Sequence, residues 1–275
     1  GGEMAADSVP KLLAAAGAGA ALYAVGWPLV RRMLASGGGL AGARGKPTVL
    51  SVVLTGGPCA GKSSSLDAIR RATAERGWAC YSVPEVPTIM LEGGLKFPQD
   101  DEDQLVAFEE ELLKLQIAAE DVWTNVARST GKNSVVVLDR GAMDVKAYLP
   151  PHLWGRVLRG VGVTEGQLSS RYDMVIHLTT AAYGAEKFYT VANNTVRRET
   201  PAMARDMDDK VREAWEGFEG HVVIRNDTDM EGKIDKEVCC HFLTPSKAKA
   251  LVVGLMERYC KVPPPRKLAV KMSLE

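Results

Sequence analysis

Two rhythms of apolar and polar residues run along the chain. Short apolar runs at residues 49–54, 79–83, 134–141, 172–180 and 221–227 are bounded by glycine, proline or charge, which predicts buried strands. Residues 64–76 carry Leu66, Ile69 and Thr73 at helical spacing. Residues 100–128 open with acidic side chains and place Leu105, Phe108, Leu112, Leu115, Ile117, Val122 and Val126 along what reads as a long amphipathic helix. Two further helices are expected at 230–242 and 245–259, and the breaker-rich stretch 84–98 reads as a loop. Strands alternating with helices imply an α/β fold: three layers around a mostly parallel sheet, with ligands at the carboxyl ends of the strands.

Composition narrows this only a little. The 275 residues are 46% hydrophobic, enough for a substantial core, and Lys plus Arg balances Asp plus Glu at 34 each. That balance offers no footprint for nucleic acid. The five cysteines lack CxxC spacing, and His152, His177, His221 and His241 are scattered, so neither zinc nor a disulfide framework is indicated.

The first 35 residues differ in character. Residues 12–30 are uncharged and flanked by Lys11 and by Arg31-Arg32, close to the length of about 20 that a bilayer-spanning helix needs. Membrane association through residues 12–34 is therefore expected. Alanine and glycine dominate the segment and insert weakly, which keeps open an interfacial helix, a targeting segment or a helix against a partner. Basic residues following the segment place the rest of the chain on the cytoplasmic, matrix or stromal side. A Gly-rich tether, 36–46, leads to a globular domain, 47–262, and a tail, 263–275.

The strongest chemical signal follows the first strand. Gly56, Gly57, Pro58, Cys59, Ala60, Gly61, Lys62 and Ser63 fit GxxxxGK[ST], the phosphate loop, with Ser64 next inside the helix. A turn of this kind aims main-chain N–H groups and a helix N-terminus at one anion. Lys62 supplies charge to the outer phosphates, and the Ser63 hydroxyl can ligate Mg²⁺ together with Asp139 at the end of an apolar strand. Arg140 can touch phosphate or pair with a carboxylate. Glu85, after the second strand, is a candidate base for an acceptor hydroxyl or a loop carboxylate with a basic partner. Arg197 and Arg198 follow a lid-like region and can neutralise phosphate charge. Asn226 and Asp227 either border the nucleotide base or cap the next helix.

In order, the stretches VLTGGPCAGKSS, GWACYSVPEVPT, EGGLKFP, VVVLDRGAMD, RYDMVIHLTTAAYGAEKFYT, NNTVRRETPAMARDMDDKVREAW and VIRNDTD resemble the P-loop domain of the TRPL-translocation-defect family. That family is related to the ribosylnicotinamide-kinase domain of NadR and grouped with AAA-type ATPases; the resemblance covers residues 48–235. It implies a nucleoside-kinase-like P-loop fold, ATP or GTP bound through Gly56 to Ser63, Asp139 near Mg²⁺, and Arg197-Arg198 on a lid. Links of the family to acidic phospholipid and membrane trafficking come with it.

Three functions are compatible with these features. The first is a membrane-anchored nucleotide-binding accessory subunit of an organellar complex, with its phosphate loop in the mitochondrial matrix or the plastid stroma. The second is a small-molecule kinase acting on a nucleoside or a ribosylnicotinamide-like acceptor. The third is a GTP- or ATP-dependent trafficking regulator. Phosphotransferase and slow NTPase activity both stay open, since no water-orienting glutamine stands out.

Overall fold

Five parallel strands make the sheet: β1 (Val49–Thr55), β2 (Ala79–Val83), β3 (Ser134–Asp139), β4 (Met174–Leu178) and β5 (His221–Ile224), in the spatial order β2-β3-β1-β4-β5. The structure is a computed structural model that describes residues 47–98, 100–184, 200–226 and 244–260. All of them fall within one unit, Lys46–Glu275. The expected apolar segment at 12–34, the tether at 36–46, Arg197, Arg198, Asp227, the helix at 230–242 and the tail at 263–275 lie outside the described residues. Among the described residues, no helix is long and apolar enough to cross a membrane.

Both faces of the sheet are buried, which is why its strands read as continuous apolar runs rather than alternating ones. Leu50, Val52 and Leu54 join Val135, Val137, Ile176 and Leu178 in one core. Val53, Val136, Leu138 and Val175 point into the other. Helix α1 (Lys62–Ala74) contributes Ile69 to the first core, where α7 (Thr244–Cys260) adds Val252, Leu255 and Met256. The opposite layer holds α3 (Glu102–Ser129), a 3-10 helix (Ala142–Tyr148), α4 (Pro151–Val161), α5 (Glu165–Ser169) and α6 (Pro201–Ala214). Three layers result, as the alternation of elements requires.

Two local expectations are corrected. Part of the stretch read as a loop is α2 (Val86–Glu92), with Pro87 in its first turn, where a missing N–H costs nothing. The other correction concerns α3. Leu115, Val122 and Val126 are exposed, while the buried positions include Val106, Glu109, Leu112, Leu113, Gln116, Glu120 and Ala127. Three polar residues therefore lie on the inward face. Its start is as expected: the Asp101 carboxylate accepts hydrogen bonds from the Asp103 and Gln104 amides.

From the central strand β1 the connections run outward in both directions, to β3 and β2 on one side and to β4 and β5 on the other. A crevice opens where such a sheet divides, at the carboxyl ends of its strands. Gly56, Glu85, Arg140, Thr180 and Asn226 all lie just beyond those ends.

Candidate functional site

The chain leaves β1 through Gly56, whose φ of +131° is closed to side chains; a Cβ there would sit 2.0 Å from the Leu178 carbonyl oxygen. Cys59 also takes a positive φ, 57°, and Gly61 enters α1 in the left-handed conformation. As the N-cap residue, Gly61 brings no side chain to cap α1. The first amides of that helix and the positive end of its dipole are therefore open to an anion.

Four charged residues gather around this loop. Lys62 is half-buried; loss of water lowers its pKa and the Arg140 charge adds to that, outweighing Asp139, Glu85 and Asp144. Asp139 has a buried Oδ1 with no hydrogen-bond partner among the described residues, and burial lifts its pKa despite the pull of Lys62. A dication would reverse that penalty. With the exposed Ser63 hydroxyl in the first turn of α1, the donor set is hard oxygen and suits Mg²⁺.

Arg140 is 8% exposed and holds a left-handed φ of 71°. Its N–H donates to the Leu54 carbonyl at 3.0 Å, and its own carbonyl accepts from Gln116 Nε2 at 3.3 Å. Its side chain pairs with Glu85 at 2.5 Å, reaches the Gly56 carbonyl at 3.5 Å and lies over the Tyr148 ring. Burial would raise the Glu85 pKa, but the Arg140 charge and hydrogen bond win and hold it below the usual value. Glu85 is thus an ionised anchor for Arg140, and it also accepts from Thr88 Oγ1 at 2.7 Å.

Asp144 and Asp208, which sequence reasoning did not single out, and Asn226, which it did, hold these parts in place. Asp144 accepts from Thr55 Oγ1 at 2.7 Å, Trp215 Nε1 at 2.8 Å and the Gly141 amide at 2.8 Å. It ties the end of β1 to the 3-10 helix and to the end of α6. Asp208, on α6, accepts from the Gly57 amide at 2.7 Å and the Thr180 amide at 3.0 Å. Its other oxygen is 3.3 Å from Nε2 of the fully buried His177, without hydrogen-bond geometry. Asn226 donates to the carbonyls of Thr179, Thr180 and Tyr183, at 3.3, 2.7 and 3.1 Å, and so secures the turn after β4. The quoted stretches DRGAMD, NNTVRRETPAMARDMDDKVREAW and VIRNDTD contain Asp144, Asp208 and Asn226, but the resemblance supplied no role for Asp144 or Asp208.

Beside the loop lies a cavity of about 270 Å³ whose wall includes Glu85 and Arg140. The rest is mostly apolar, with Phe97, Phe108, Leu112 and Tyr148 among its lining. Its size is near the low end of the range of roughly 300–1,000 Å³ seen for small-molecule sites. Among the described residues, no group of three or more His, Cys, Asp or Glu side chains could hold a metal ion. The Ser63 and Asp139 pair is a different arrangement, in which phosphate and water would complete the shell.

Residues 51–233 match the model of an AAA domain. No curated protein matches the chain. Among solved structures it is similar to NadR protein in complex with NR, at 16% identity and a TM-score of 0.48, over 81% of this chain and 54% of that one. NadR protein in complex with NAD and AMP-PNP aligns at 14% identity and a TM-score of 0.44, over 80% and 51%. Thymidylate kinase from Ehrlichia chaffeensis aligns at 12% and 0.44, over 77% of this chain and all of that one. The chain spans about half the length of the NadR structures it matches.

Proposed function

The chain belongs to the AAA domain family, with a P-loop nucleotide-binding fold, and from that premise we propose that it binds ATP or GTP with Mg²⁺ and transfers the terminal phosphoryl group to a small acceptor in the adjoining cavity. The observation that carries this reading is the placement of the cavity. Arg140 belongs to its wall and also reaches the carbonyl of Gly56, the first residue of the phosphate loop. Lys62 and the first amides of α1 hold the phosphates. Bound Mg²⁺, held by Ser63 and Asp139, would offset charge on the outer phosphates. Arg140, fixed by Glu85, adds a guanidinium that cannot lose its proton. In the transfer, the bond between the terminal phosphorus and its bridging oxygen breaks, a new bond to the acceptor hydroxyl oxygen forms, and the hydroxyl proton passes to solvent. Glu85 is too acidic for a strong base and serves by positioning Arg140.

Isothermal titration of the whole chain with ATP and GTP in the presence of Mg²⁺ tests the binding half. Lys62→Ala should weaken affinity by about a hundredfold or more, since it removes the cation that meets the outer phosphates. Undiminished affinity in that variant would remove the lysine from the site. The anchoring of this domain at an organellar membrane as a complex subunit rests on residues 12–34. Carbonate extraction checks it: a chain recovered in the supernatant is not inserted in the bilayer.

A further inference from the structure

Three polar residues lie on the buried face of α3, and two of them make hydrogen bonds. Gln116 donates to Glu120 Oε1 at 2.9 Å and to the Arg140 carbonyl at 3.3 Å. Glu120 also accepts from Tyr172 Oη at 2.8 Å and from Arg171 Nε at 2.6 Å. Glu109, two turns earlier on the same face, is different. It is 1% exposed, and among the described residues neither carboxyl oxygen has a hydrogen-bond partner. It lines the cavity beside the phosphate loop, in company with Phe97, Phe108 and Tyr148.

A buried carboxyl with nothing to bond is a standing cost to the fold, of a kind found where a ligand completes the set of partners. Burial raises its pKa to about 7, and among the described residues no hydrogen bond or ion pair offsets that. The complement of a lone carboxylate in an apolar, aromatic chamber is a protonated amine on an apolar body. The ammonium forms a charge-assisted hydrogen bond and can lie against the ring faces.

We propose that the cavity binds a small, largely apolar amine, with its ammonium on Glu109 and its body against Phe97, Phe108, Leu112 and Tyr148. This rests on the reading above in one respect, that the same molecule carries the hydroxyl facing Arg140 and the phosphate loop. The amine site itself stands on Glu109 and the cavity. Glu120 does not compete for the ammonium, because both of its oxygens already accept hydrogen bonds.

The test uses three molecules of one shape: phenethylamine, 2-phenylethanol and 3-phenylpropionate, titrated calorimetrically into the whole chain near pH 8. The amine should bind about tenfold or more tightly than either of the others, and Glu109→Gln should erase that preference. A second reading needs no variant. Repeated in buffers of different ionisation enthalpy, amine binding should release close to one proton at about pH 6 and almost none at about pH 8.5, since the ammonium converts Glu109 to its carboxylate. Equal affinity for amine and alcohol, no binding of any probe, or proton release independent of pH would each overturn the proposal. ATP titrations of the parent chain and of Glu109→Gln report on the phosphate loop alone. Unchanged ATP affinity beside a lost amine preference supports the site. Failure of ATP to bind the parent chain would strike the nucleotide reading and leave the amine result to stand by itself.

Discussion

A carboxyl that burial alone holds at about 7 makes the fold itself sensitive to pH. In the unfolded chain a glutamate titrates at about 4.3, so between that value and 7 the native state binds the extra proton. Stability therefore falls as pH rises through this window, and the loss is complete above it. The gap corresponds to roughly 4 kcal/mol. Glu109→Gln should gain most of that over the parent chain near pH 8 and little near pH 5, measured by urea denaturation at both values. The same increment at both would mean that Glu109 does not titrate in this range. Single residues differ in how legible they are. Lys62 and Gly56 announce themselves because a phosphate loop is a local object, made from consecutive backbone atoms. Glu109 sits among the acidic residues that open α3, and its sequence neighbours do not distinguish it from the exposed Glu111.

At the scale of elements, α3 shows how a functional face misleads a pattern reading. Its apolar residues cover more than half of its circumference, and the fold buries the side that carries Glu109, Gln116 and Glu120. Hydropathy cannot anticipate that Glu120 is satisfied by partners from elsewhere, here Arg171 and Tyr172. Helix α6 makes the same point with one residue. Asp208 anchors the Gly57 and Thr180 amides, so α6 is fastened to the phosphate loop. Asp208→Ala would leave two buried N–H groups without acceptors, at about 1–3 kcal/mol each. Loss of about 3 kcal/mol in chemical denaturation and weaker ATP binding are expected together. A stable variant with normal affinity would show that the loop keeps its shape without α6.

For the whole molecule, nucleotide binding and stability are linked. ATP with Mg²⁺ at a hundred times its dissociation constant should stabilise the chain by about 2.7 kcal/mol, which is on the order of 5–10 °C in Tm for a domain of this size. The Lys62→Ala chain should show no such shift in a thermal melt, and a shift preserved in that variant would place the nucleotide elsewhere. The sequence by itself determined the sheet, because strands buried on both faces must be apolar throughout. It also determined the phosphate loop, because glycine spacing dictates backbone shape. Tertiary structure decided the strand order, the face that α3 buries, the pairing of Glu85 with Arg140 across 55 positions, and the reach of Asp208 to Gly57 across 151. Those contacts join residues that are remote in the chain, and what brings them together is the packing of helices onto both faces of one sheet.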